Sequence, residues 1–170
     1  MTILKTVQKF DGTRTTSYSW VWMILWLWPV LTTKGEVWSI TLKPSDGSVF
    51  GLLETSSNIS IQNSPPSLEW DEVSGKIIEV YPVGNLGGQA YENDTLGVFI
   101  YNWTDADGDP PGYLYQWQRY DDGQWIDIED ANSATLGPEH FVSGDSIRVW
   151  VTPYDGEDTG VPRNDPIIIS

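Results

Sequence analysis

A segment that occurs twice constrains this chain more than any other feature. Gly35-Glu36-Val37-Trp38-Ser39-Ile40-Thr41-Leu42-Lys43-Pro44-Ser45-Asp46-Gly47 returns as Gly144-Asp145-Ser146-Ile147-Arg148-Val149-Trp150-Val151-Thr152-Pro153-Tyr154-Asp155-Gly156. The offset is 109 residues throughout, and Gly51 and Gly160 continue the register. A repeat of this kind means two copies of one module. A length of 170 residues suits two modules of roughly 50–110 residues each. A looser match sets Ser17-Tyr18-Ser19-Trp20 beside Leu114-Tyr115-Gln116-Trp117. Trp20 precedes Gly35 by 15 residues and Trp117 precedes Gly144 by 27, so the first copy is expected to lack a hairpin's worth of chain.

The boundary between the copies is legible. Asn58-Ile59-Ser60-Ile61-Gln62 alternates like a last strand, and Asn63-Ser64-Pro65-Pro66 breaks it with a stiff, extended step. The expected organisation is therefore an incomplete module at 1–62, a Pro-rich linker at 63–66 and a complete module at 67–170. Strands are expected at Gly75–Tyr81, Thr95–Trp103, Leu114–Arg119, Trp125–Ile128, Ser146–Val151 and Pro166–Ile169. Gly, Asp and Pro turn signals separate them. Short strands at regular spacing without a helical period predict an all-β chain built of two-sheet β-sandwiches.

These residues carry a resemblance. Asn63-Ser64-Pro65-Pro66, Glu92-Asn93-Asp94-Thr95-Leu96, Trp103-Thr104-Asp105-Ala106-Asp107-Gly108-Asp109, Tyr115-Gln116-Trp117 and Val151-Thr152-Pro153-Tyr154-Asp155-Gly156 resemble the immunoglobulin-like tandem repeats of archaeal and bacterial cell-surface proteins. The resemblance covers 63–170 well and about 17–62 in part. It implies an extracellular β-sandwich used for building or adhesion, with no catalytic residues to carry over.

The first module departs from that pattern, because residues 1–16 hold nothing like the Asn93–Asp109 region. An incomplete sandwich exposes strand edges and an apolar face that something must cover. The expected exposed face is the Trp-rich run, with Trp20, Trp22, Trp26 and Trp28 at strand spacing. The expected donor is the segment Thr2–Phe10, inserted as a strand in a neighbouring protomer. Ile3 and Val7 lie on one face of that segment, Leu4 and Phe10 on the other.

The run from Tyr18 to Leu31 follows Lys5, Lys9 and Arg14 and so imitates a signal peptide, but no small-x-small cleavage pattern follows it. It is shorter than the ~20 residues of a spanning helix and Pro29 interrupts it, so a buried or interface strand is expected in place of a membrane span, with a membrane-associated segment or an uncleaved signal as the alternatives.

Charge narrows the partners. Lys and Arg total 9 against 24 Asp and Glu, a net charge of −15 that opposes binding to nucleic acid. Residues 1–43 carry 5 basic and 2 acidic groups, the rest 4 and 22, which suits a basic end meeting the acidic end of a neighbour. Cysteine is absent, and with it disulfides, thiolate metal sites and cysteine nucleophiles.

Three constellations bear on chemistry. Asp105, Asp107 and Asp109 put carboxylates at alternate positions around a Gly, the oxygen-rich arrangement that Ca²⁺ prefers, with Asp155, Glu157 and Asp158 as neighbours. The competing reading is a polar turn capped by its own Asp side chains. The adjacent pairs Asp121/Asp122 and Glu129/Asp130 do not span a cleft as a glycosidase requires, and are expected on a solvated surface. Trp70 and Trp125 are candidates for stacking on sugar rings, whereas Trp117 is expected in the sandwich core and His140 as a surface or packing residue. Asn58, Asn93 and Asn102 head glycosylation sequons.

The sequence thus predicts a non-enzymatic structural subunit of an extracellular surface fibre or layer. It would partner itself through strand complementation and require no cofactor beyond optional Ca²⁺. The alternative is a calcium-dependent adhesion or carbohydrate-binding module of a longer tandem-repeat surface protein.

Overall fold

The computed structural model describes residues 2–10, 15–20, 32–46 and 48–170; for Thr2–Phe10, Thr15–Trp20, Leu42 and Ser45 it describes the backbone alone. Trp22, Trp26 and Trp28 lie outside the described residues. The chain is all-β and divides into two compact units, Met1–Asn63 and Ser64–Ser170. The sole helical turn among the described residues is a 3-10 turn at Pro138–His140.

Unit 1 is a single antiparallel sheet of β1 (Thr2–Phe10), β2 (Thr15–Trp20), β3 (Val37–Ser45), β4 (Glu54–Thr55) and β5 (Ile59–Ser60). Its order is β2-β1-β3, with β4 and β5 on the other side of β3. The Thr2–Phe10 segment was expected to leave for a neighbour. It pairs within its own chain instead, with β2 from Lys5↔Trp20 to Phe10↔Thr15 and with β3 from Thr2↔Ser45 to Phe10↔Val37. The physical reason is proximity. Only four residues separate β1 from β2, so closing the hairpin costs far less entropy than recruiting a second chain.

The register sorts this sheet into a more apolar and a more polar face, since directly opposed residues share a face. Ile3, Val7, Tyr18, Trp20, Trp38, Ile40, Leu42, Pro44 and Ile59 occupy one, together with Lys5, Lys9, Thr16 and Glu54. Thr2, Thr6, Gln8, Thr15, Ser17, Ser19, Ser39, Thr41, Lys43, Ser45, Thr55 and Ser60 occupy the other, with Leu4, Phe10 and Val37 as its apolar members.

Unit 2 contains β6 (Ser67–Glu69), β7 (Ile78–Pro82), β8 (Leu96–Ile100), β9 (Asn102–Thr104), β10 (Gly112–Asp121), β11 (Gln124–Asp127), β12 (Thr135–Leu136), β13 (Ser146–Tyr154) and β14 (Arg163–Ile168). They form a four-stranded sheet β11-β10-β13-β14, a three-stranded sheet β12-β8-β7 and the pair β6-β9. The expected Thr95–Trp103 strand is broken at Tyr101, where the chain leaves β7 and joins β6. The arrangement is consistent with a β-sandwich. Ile147, Val149 and Val151 of β13 and Trp117 of β10 are fully buried against Leu68, Ile78, Val80, Leu96 and Leu136 of the other sheets. Burying each such side chain contributes roughly 1.5–3 kcal/mol. Trp117 fills the core as its sequence position suggests, and its Nε1 donates to the Ser133 carbonyl at 2.9 Å.

The repeat is real in three dimensions. β3 and β13 span 37–45 and 146–154, 109 residues apart at both ends. β1 and β10 flank them in the same place, Val7 opposite Ile40 and Trp117 opposite Val149. The counterpart of the core tryptophan is therefore Val7, and β2 corresponds to β11. The match of Ser17–Trp20 with Leu114–Trp117 does not hold, and neither does the missing hairpin that was inferred from it. Trp20 and Trp117 are alike in residue type but not in place: Trp20 lies on the edge strand opposite Lys5, whereas Trp117 lies beside the repeated strand opposite Val149.

Candidate functional site

The loop from Asp105 to Pro111 joins β9 to β10 at one end of unit 2. Asp105 organises it: its Oδ1 accepts the backbone N–H of Asp107 at 2.8 Å and of Asp109 at 3.1 Å. Asp107 reaches outward, and its Oδ2 accepts the N–H of Ser64 at 2.7 Å. The three half-buried carboxylates each bring one oxygen to within 4.8 Å of the others. Asp105 Oδ2 is buried with no hydrogen-bond partner. A buried carboxylate oxygen without a donor carries a desolvation cost that a hard cation relieves by direct coordination. Donor chemistry and spacing thus fit a divalent cation. The neighbouring acids are outside this group. Asp155 Oδ1 caps its own turn, accepting the N–H groups of Glu157 and Asp158 at 2.7 Å each.

A second constellation lies on the outward face of the four-stranded sheet, one that sequence reasoning found only in part. Trp125 was expected there; its partners were not. Arg148 lies over the Trp125 ring at 4.4 Å and the Trp150 ring at 5.2 Å, and Tyr120 meets Trp125 edge-on at 5.1 Å. Gln118 fixes the row: its Oε1 accepts from Arg148 Nε at 2.7 Å and Trp150 Nε1 at 3.1 Å, and its Nε2 donates to Asp127 Oδ1 at 2.6 Å. Partial burial holds the Arg148 pKa below its ordinary value, against the opposing charge of Asp127. The available signal was the period-2 spacing of Gln118, Tyr120, Arg148 and Trp150, which puts them all opposite to the core positions. Trp70 is exposed just after β6, on a different sheet.

The sequon residues differ in availability. Asn58 and Asn93 are exposed. Asn102 is half-buried in β9, where its Nδ2 donates to the Trp70 carbonyl at 3.3 Å. His140 sits beside Glu139, 3.3 Å away, in a shallow cleft that Arg119 and Glu129 also line. Asp121, Asp122 and Asp130 are exposed at turns.

At the closed side of the sandwich, Asp165 of β14 reaches across to β7, where its Oδ2 accepts the Val80 N–H at 2.9 Å. Burial pushes the Asp165 pKa up, partly countered by that bond and by Lys76. Beside it, burial also acts upward on Glu79, but the bonds from Lys76 at 2.6 Å and from Tyr101 hold its carboxyl below the usual range. Among the described residues no helix is long and apolar enough to cross a membrane. Comparison with protein-family models and with curated proteins finds no match to this chain.

Proposed function

We propose that the chain is a structural, non-catalytic part of an extracellular surface fibre or layer, built from immunoglobulin-like modules joined to their neighbours by β-strand complementation. One observation carries this reading. Unit 1 repeats the order of the four-stranded sheet of unit 2, with the short strands β4 and β5 together in the place of β14, but among the described residues no strands correspond to β6 through β9. A half-sandwich has a reason to persist when an assembly supplies its other half. The resemblance of residues 63–170 to cell-surface tandem repeats, the net charge of −15 and the absence of cysteine agree with it. The test is immunogold microscopy of filaments or sheets stripped from the producing cells, with an antibody to this chain. Regular decoration supports the reading, and label confined to the cytoplasm overturns it.

A second reading, a calcium-dependent adhesion module, is favoured by the Asp105–Asp109 loop, where a buried carboxylate oxygen stands without a donor beside two further carboxylates. Under it the Tyr120–Trp125–Arg148–Trp150 row is the surface to offer a glycan. The Trp150 ring and the Arg148 guanidinium, both held by Gln118, lose little further freedom when a sugar stacks on the row.

A further inference from the structure

The two copies of the repeated sheet differ in how well they are covered. Ile147 and Val149 are 0% exposed, and Pro153 is fully buried. Their counterparts in unit 1 are Trp38 and Ile40, both half-buried, and Pro44, which is exposed. Ile167, which pairs with Ile147, packs against the core, whereas Ile59, which pairs with Trp38, is 58% exposed. All four unit-1 positions share the apolar face defined by register.

In unit 2 the equivalent face is covered mainly by residues 64–104, which supply β6 to β9. That layer carries six acidic residues and one lysine. We propose that the apolar face of the unit-1 sheet is the seat of a β-layer of this same make, four short strands with an apolar inner stripe and net negative charge, supplied from outside these 170 residues. The inference rests on the complementation reading above and names its occupant.

Two rival occupants fit less well. Residues 21–31 fall in the connection that in unit 2 supplies Ala131, Leu136 and Phe141 to the core, a smaller share than Leu68, Ile78, Val80, Ala90 and Leu96 of the acidic layer. A second copy packing the same face against itself would bring Lys5 and Lys9 near their own copies, whereas an acidic layer offsets them.

The register fixes the experiment. Thr2 and Gly112 hold equivalent places opposite Ser45 and Tyr154, so residues 64–110 repeated directly ahead of Met1 enter β1 in the unit-2 frame. In this cysteine-free chain, Ile40→Cys reports on the face through its rate of maleimide labelling, and Leu52→Cys, at a site 84% exposed, serves as the control. Ile40→Cys should label readily in the 170-residue chain and at least about tenfold more slowly in the fusion, while Leu52→Cys stays fast in both. Hydrogen exchange of the β3 amides in the fusion without the cysteine gives an independent reading and should slow with it. Fast labelling and fast exchange in the fusion overturn the proposal. So does slow labelling in the unfused chain: if independent of concentration it assigns the cover to the chain itself, if concentration-dependent to a second copy. Protection in the fusion without labelled surface filaments leaves this inference standing while the fibre reading fails, and the reverse result separates them the other way.

Discussion

Gly160 donates its backbone N–H to the carbonyl oxygen of Pro153 across 2.9 Å, and 109 residues earlier Gly51 makes the same bond to Pro44 at 2.8 Å. Each bond closes the turn that follows the repeated strand. Inside both turns an aspartate, Asp46 or Asp155, accepts the backbone N–H groups two and three residues on. The two sites differ in crowding. A Cβ on Gly160 would fall 1.8 Å from the Pro66 carbonyl oxygen, while on Gly51 its nearest neighbour is Pro44 Cγ at 3.0 Å. Gly160→Ala should therefore destabilise unit 2 by about 1–3 kcal/mol, because backbone must move to admit the methyl. Gly51→Ala should cost less. Urea unfolding of the two variants checks the order.

Trp117 tests the core. It is 0% exposed, and its indole N–H is satisfied by Ser133. Trp117→Ala should cost about 3–5 kcal/mol through the cavity it leaves. Trp117→Phe should cost less but leave the Ser133 carbonyl without that donor. Denaturant midpoints for the three proteins give the comparison.

Asp165 predicts a pH dependence. Its folded pKa lies above the ordinary carboxylate value, so the group favours folding below that value, and this contribution is lost as pH rises through the raised pKa. Asp165→Asn keeps an oxygen for the Val80 N–H and removes the buried charge. The melting temperature should rise at pH 7, and the gain should disappear near about pH 4 and below. Lys76 and Glu79 face the same seam and act with opposite sign, so melting curves should be repeated with Lys76→Met, which should enlarge the gain.

The Asp105 loop predicts a calcium response. Added Ca²⁺ should raise the melting temperature of the wild-type chain and a chelator should reverse the effect. Asp105→Asn keeps the oxygen that accepts from Asp107 and Asp109 but lowers the loop's charge, so it should abolish most of the calcium shift while leaving the chelated melting point nearly unchanged. Equal melting points with and without Ca²⁺ in the wild type would remove the cation from this loop.

Much of the fold was legible because its signals are local. The Pro65-Pro66 break, the Asp122-Gly123 hairpin turn and the alternation of Ile147, Val149 and Val151 each follow from the conformational limits of a few neighbouring residues. The acidic triad was legible for the same reason, since five residues suffice to bring its carboxylates together. The Trp125–Arg148–Trp150 row was not, because its members come from strands more than twenty residues apart.

The sequence alone determined that the chain is of the all-β class, that its central strand is duplicated at a fixed offset of 109, and that three carboxylates meet at the 105–109 turn. Only the tertiary structure decided that Thr2–Phe10 is the counterpart of the Trp117 strand and pairs at home, that Asp165 reaches across to β7, and that Trp38, Ile40 and Ile59 remain less covered than Ile147, Val149 and Ile167. The physical reason is that strand identity is set by pairing partners. Those partners are fixed by long-range hydrogen bonds and burial, which a one-dimensional pattern of side chains does not encode.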